Sequence, residues 1–246
     1  MKHDKPRILL EKKSHLILYK PSKMHCVPLQ KDESDTLLAW CAEQFPEVLT
    51  VYGKKPIEGG IVHRLDYETR GVVLCARTQA AMDSFTRQQE TGVFIKNYQA
   101  NSAGAATQLD GFPKGAPVLS DVNIYTWVHD ESERALHSGE PLLVQSAFRA
   151  YGAGRKAVRP ILNSPARVYT TKITGYISKA NSVYHFWISL NRGFRHQIRC
   201  HLAWMGYPIL NDVLYGGKSN GGDMELFAWF LSFFDPETED PVSFGY

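Results

Sequence analysis

The spacing of apolar positions along this chain changes period several times. Arg7 to Lys12 and His15 to Tyr19 are short apolar runs divided by a polar break, which predicts a pair of strands. Ser34 or Asp35 stands where an N-cap belongs. Leu37, Leu38, Trp40 and Cys41 follow on the buried side of a helix, and Pro46 closes that region. Gly59-Gly60 leads into Ile61-Val62, then His63-Arg64-Leu65-Asp66, and Gly71 to Ala76 forms a second apolar run. Asp66 is therefore expected in a loop between two strands, where a rigid scaffold can present a functional group. Thr78 opens a helix through Glu90 with Ala81, Met82 and Phe85 on one side, and Gly92 ends it. Phe94 to Ala100 returns as a strand carrying Lys96 and Tyr98 on one face.

From Asn101 to about Glu140 the chain is rich in Gly, Ala, Ser, Asp and Pro, and only Val122 to Val128 reads as a strand. This stretch is expected to be a surface excursion within a single domain spanning 1–246. Tyr169 to Ile177 and Val183 to Leu190 predict consecutive strands turned around at Ser178–Ser182. Phe194 to Met205 predicts a helix stopped by Gly206 and Pro208. Phe194, Ile198, Leu202 and Met205 would be buried, with Arg195 and Arg199 one turn apart on an adjoining face. A strand over Leu226 to Phe234 precedes the acidic run Asp235 to Asp240. Hairpins with scattered helices predict an α+β fold, a mixed and mainly antiparallel sheet flanked by helices, rather than a βαβ repeat.

Charge adds a division that periodicity does not reveal. Residues 141–211 contain no Asp or Glu in 71 positions but hold ten cations: Arg149, Arg155, Lys156, Arg159, Arg167, Lys172, Lys179, Arg192, Arg195 and Arg199. The rest of the chain has 18 of the 28 cations against all 25 acids, so the whole-chain value of +3 conceals a strongly positive segment. A basic face of this kind tracks phosphates and releases their counterions. Arg155, Lys156 and Arg195 are the candidates for a nucleic-acid backbone.

Several other chemistries fail on spacing. Cys26, Cys41, Cys75 and Cys200 form no C-x-x-C pair, which argues against a zinc ribbon or redox motif and for reduced thiols in the cytoplasm. The N-terminus lacks the apolar core of a signal peptide, and no apolar run approaches bilayer length. Gly216-Gly217-Lys218-Ser219 lacks the glycine that a phosphate loop requires five positions before Gly217, so it reads as a turn and no nucleotide cofactor is expected. His196 and His201 are five apart on the predicted helix and diverge, which with His63 favours structural histidines over a metal site. The basic segment offers no second carboxylate for glycoside hydrolysis, leaving a single-carboxylate mechanism.

The run His63-Arg64-Leu65-Asp66-Tyr67-Glu68-Thr69-Arg70-Gly71 followed by an apolar strand resembles the signature of the RluA-type pseudouridine synthases. Ile95-Lys96-Asn97-Tyr98-Gln99-Ala100 is similar to their K-x-Y-x-A strand. Gly193-Phe194-Arg195-His196-Gln197-Ile198-Arg199-Cys200-His201-Leu202 resembles their G-R-T-H-Q-I-R-x-H-L helix. Gly206-Tyr207-Pro208-Ile209, Leu214-Tyr215-Gly216-Gly217 and Tyr19-Lys20-Pro21-Ser22 match further pieces in the same order, covering most of the chain except roughly 101–165. Arg70, Phe194 and Asn211 depart from the pattern but leave the aspartate, the tyrosine and the helical arginine in place.

The resemblance implies the pseudouridine synthase catalytic fold, without the small S4 RNA-binding module some relatives carry. It further implies isomerisation of uridine to pseudouridine in rRNA or tRNA, without a cofactor, by a protein expected to be monomeric. Asp66 would act at the ribose as nucleophile or base. Arg199 would pair with it, Tyr98 would stack on the uracil, and Arg64 would fill the gap left by a flipped-out base. Two other classes compete: an RNA-binding protein that keeps the fold without catalysis, and a nucleoside hydrolase acting on free substrates. Binding alone needs no carboxylate facing phosphates, and free nucleosides need no extended basic surface.

Overall fold

A computed structural model describes residues 4–30, 33–104, 109–114, 141–179 and 183–246. The chain forms two compact units, one of Met1–Lys96 with Phe227–Tyr246 and one of Asn97–Leu226. The secondary structure is a mixed, mainly antiparallel arrangement of strands with few helices.

In the first unit, β1 (Arg7–Glu11), β2 (His15–Lys20) and β3 (Arg70–Ala76) pair antiparallel in that order. Both faces of β2 are buried, which is why its apolar run is nearly continuous rather than alternating. Helix α1 (Leu37–Ala42) is capped by Thr36, whose hydroxyl accepts from the Ala39 N–H, and not by the expected Ser34 or Asp35. Helix α2 (Gln79–Thr91) starts at its predicted cap Thr78 and ends on Gly92 in the left-handed conformation. Its expected apolar face, Ala81, Met82 and Phe85, packs with Ile17, Val72, Leu74 and Phe94 in one core. The expected strand at Ile61-Val62 reduces to a single bridge between Ile61 and Cys75.

β4 (Ile95–Ser102) carries the chain into the second unit, and β9 (Leu226–Phe234) carries it back. β9 pairs parallel to β3, matching Arg70 with Phe227 and Gly71 with Ala228, and β10 (Pro241–Gly245) pairs antiparallel to β9. At Gly71, with φ of 135°, a Cβ would lie 2.1 Å from the Ala228 carbonyl oxygen, so only glycine permits this pairing.

The second unit contains β5 (Leu142–Tyr151), β6 (Ala157–Ile161), β7 (Tyr169–Lys179) and β8 (Val183–Leu190), in the order β4-β8-β7-β5-β6. The predicted hairpin of β7 and β8 is present, whereas β5 and β6 lie where no strand was expected. Pro160 obscured β6, and it is tolerated because, among the described residues, β6 is the outermost strand and pairs only with β5. Helix α3 (Gln197–Trp204) is buried along its whole length and is shorter than predicted. His196 adopts a left-handed φ of 56°, so a helix cannot run through it from Phe194. Phe194 is accordingly not a core residue. It is 37% exposed and stacks on Phe148 at 4.9 Å. The predicted strand at Val122–Val128 and most of the 101–140 excursion lie outside the described residues.

Candidate active site

In the first unit the segment around Asp66 has no regular secondary structure, and its backbone is held by neighbours on several sides. The Val62 N–H donates to the Leu74 carbonyl, and the Leu74 N–H donates to His63 Nε2 at 3.2 Å. His63 therefore fastens the entry of the loop to β3 with its ring neutral. Burial, with help from Lys96, pushes its pKa down to about 3. The Leu65 N–H donates to Cys26 Sγ at 3.2 Å.

Beyond Asp66 the exit is tied just as firmly. The Met24 N–H donates to the Tyr67 carbonyl, Ser22 Oγ donates to the Glu68 carbonyl, and the Thr69 N–H closes a turn on the Asp66 carbonyl. Lys20, fully buried, donates from Nζ to the carbonyls of Pro21, Met24 and Tyr67 at 2.9, 2.8 and 3.2 Å. Burial pushes its pKa down to about 8, opposed by Cys26, Asp66 and Glu68. Asp66 itself is partly exposed on this rigid loop. Arg64 points from the same loop, half-exposed, with Nη1 donating to the nearly buried Glu58 carboxylate at 3.0 Å.

In the second unit, Arg199 and Tyr98 are both buried. Arg199 on α3 donates from Nε and Nη2 to the two oxygens of Asp212, each at 2.8 Å. This bidentate pairing fixes the guanidinium plane. Asp212 was not among the expected site residues. The signal available for it was its place as the first acid after the 71-residue acid-free stretch. The predicted turn at Gly216-Gly217 holds it from behind, because the Gly217 N–H donates to the Asp212 carbonyl at 2.9 Å. A Cβ at Gly217 would fall 1.9 Å from the Ile209 carbonyl oxygen.

The other polar groups of α3 are also matched. His201 lies between Ser146 Oγ and Thr171 Oγ1 at 2.9 and 2.8 Å, and burial pushes its pKa down to about 3. His196 Nδ1 lies 3.2 Å from the Tyr215 hydroxyl, so the two histidines diverge as expected.

Arg195 does not sit beside Arg199 on a helix face as expected, since it precedes the helix. Its Nη2 donates to the carbonyls of Arg155 and Ala157 at 2.7 and 3.2 Å, which gathers Arg155, Lys156 and Arg195 at one exposed place. Among the cations whose side chains are described, Arg199 and Arg159 are not on the surface. Arg199 is paired inside, and Arg159 is buried with Nε donating to the Asp110 carbonyl and its guanidinium 4.4 Å from the Tyr151 ring centre. Asp66 and Arg64 belong to the first unit; Tyr98, Arg155, Lys156, Arg195 and Arg199 belong to the second.

The arrangement of strands and helices is one found in solved synthase structures. Human RNA pseudouridylate synthase domain containing 1 superposes with a TM-score of 0.63 at 18% identity, covering 98% of this chain and 83% of that one. Human RNA pseudouridylate synthase domain containing 4 superposes with a TM-score of 0.57 at 18% identity, covering 97% and 87%. These likenesses concern the fold.

The family model described as RNA pseudouridylate synthase matches residues 14–204, and the chain belongs to that family. Ribosomal large subunit pseudouridine synthase D of Neisseria meningitidis serogroup B is 26% identical over 250 residues, covering 96% of this chain and 56% of that protein. An uncharacterized RNA pseudouridine synthase of Bacillus subtilis, YjbO, is 27% identical over 187 residues, covering 75% and 53%. The chain thus spans about half the length of the curated relatives it matches.

Proposed function

We propose that this chain isomerises uridine to pseudouridine within structured RNA, with Asp66 as the catalytic carboxylate. The observation that carries the proposal is Asp66 on a loop pinned by Lys20, Ser22, Met24, His63 and Thr69, inside a chain whose residues 14–204 match the synthase family. The N1–C1′ bond breaks, the uracil turns, and C5 bonds to C1′. The C5 proton is released and N1 takes one up, so atoms and electrons balance without redox or group transfer.

Asp66 acts at the ribose as nucleophile or base. Arg199, its guanidinium oriented by Asp212, belongs to the substrate-binding set. Tyr98 stacks on the uracil, and Arg64 leaves Glu58 to fill the space of the extruded base. Arg155, Lys156 and Arg195 contact the backbone. The name of the Neisseria relative favours ribosomal RNA of the large subunit as substrate over transfer RNA, for a cytoplasmic enzyme.

Asp66→Asn is expected to abolish tritium release from 5-tritiated uridine in RNA while leaving RNA affinity within about twofold, because the amide keeps the shape and loses the charge. Retained turnover would remove Asp66 from the mechanism.

A further inference from the structure

The turn preceding the Asp66 loop carries an aromatic ring and two lysines for which the chemistry described so far has no use. Tyr52 is 69% exposed, and its ring and hydroxyl have no hydrogen bond or ring partner among the described residues. The backbone beneath it is clamped. The Tyr52 N–H donates to Gln79 Oε1 at 2.8 Å, and Gln79 Nε2 donates back to the Tyr52 carbonyl at 3.2 Å. Gln79 is the first residue of α2, so a rigid element presents an otherwise unsupported ring.

Lys54 and Lys55 follow, both exposed, and neither has a carboxylate ion pair among the described residues. The nearest acid in sequence, Glu58, is nearly buried and already paired with Arg64. That ion pair also joins the lysine turn to the loop bearing Asp66. Lys54 adds to the positive field, contributing with burial to the lowered pKa of Lys96.

An exposed tyrosine is poor packing for a monomer surface, and adjacent unpaired lysines would repel a second copy of the same patch. A flat ring flanked by free ammonium groups suits a polyanion with exposed π-faces. Resting on the reading of RNA as substrate, we infer that Tyr52, Lys54 and Lys55 form an accessory site for single-stranded RNA flanking the target uridine. Tyr52 stacks on an unpaired base and the two lysines hold the adjoining phosphates. A duplex offers no free base face to Tyr52, so the site selects for unpaired flanks.

The test uses the whole chain and a fluorescein-labelled oligouridylate of about 12 nucleotides, within the span of ordinary single-strand sites. Tyr52→Ala is expected to weaken binding about 5- to 150-fold, the range for loss of one stacked base, while Tyr52→Phe stays near wild type. Affinity for an RNA duplex of the same length should change less than about twofold in Tyr52→Ala, since no stacked base is lost. Lys54→Ala with Lys55→Ala is expected to lower the slope of log K against log salt by about 1.4, two phosphates' worth for a single strand.

Both tested groups are exposed, and matching thermal melts check that the variants fold. Unchanged affinity in Tyr52→Ala, an unchanged salt slope in the double lysine variant, or no measurable wild-type binding to the oligouridylate would overturn the site. Binding is read without turnover, so the two readings fail separately. A wild type that binds as described but releases no tritium loses the isomerase reading and keeps this one.

Discussion

Arg199 and Asp212 lie thirteen residues apart and meet through two hydrogen bonds of 2.8 Å, with side chains 2% and 0% exposed. A buried pair of this kind is costly to break from one side, because the surviving charge loses its partner without regaining water. Its fork geometry also fixes the guanidinium in a way a lysine cannot reproduce.

Asp212→Ala is therefore expected to destabilise the protein by about 3–5 kcal/mol, the cost of stranding a buried charge. Arg199→Lys should lose the bidentate contact and lower turnover even where the protein still folds. Urea unfolding and tritium release measure the two effects. An Asp212→Ala protein with an unchanged midpoint would show that the pair does not stabilise the fold.

Lys20 leads to a second expectation. Lys20→Met fills comparable space but leaves the carbonyls of Pro21 and Met24 without their buried donor and the Tyr67 carbonyl with only the Met24 N–H. A loss of about 2–4 kcal/mol is expected from unsatisfied carbonyls. Because Tyr67 adjoins Asp66, kcat should fall more than the affinity for RNA. Lys20→Met with wild-type kcat would show that the Asp66 loop holds its geometry without this donor.

The buried histidines make stability depend on pH. His63 and His201 are held down to about 3, chiefly by burial, against about 6.5 for an unfolded histidine. Between those values the unfolded chain binds protons that the native protein does not. Stability is thus fully present above about pH 6.5 and lost as pH falls towards 3, by about 1.4 kcal/mol per pH unit for each histidine at the steepest. Urea midpoints between pH 4 and 7 should show this slope, and His201→Gln should remove one histidine's share of it. An identical slope in the variant would place the titration elsewhere.

Much of the fold is legible in local pattern. β2, β3, α2, β8 and β9 lie where apolar periodicity and caps put them, because each buries a face that its own residues define. β5 and β6 escaped that reading. Neither alternates cleanly, and Pro160 argues against a strand until β6 is seen to be an outermost one. The predicted helix from Phe194 failed at His196, where the backbone turns left-handed while the Gln197 side chain accepts from the Phe194 N–H.

The sequence by itself determined the family, the loop position of Asp66 and the acid-free cationic segment, since motif order, loop signals and charge are properties of the chain read in line. Only the tertiary structure decided which partner each charge meets. Arg199 meets Asp212, Arg64 meets Glu58, and Arg195 meets the carbonyls of Arg155 and Ala157. Lys54 and Lys55 remain without such partners among the described residues. The physical reason is that ion pairing and burial depend on which distant segments the fold brings within about 3 Å, and no spacing along the chain encodes that distance.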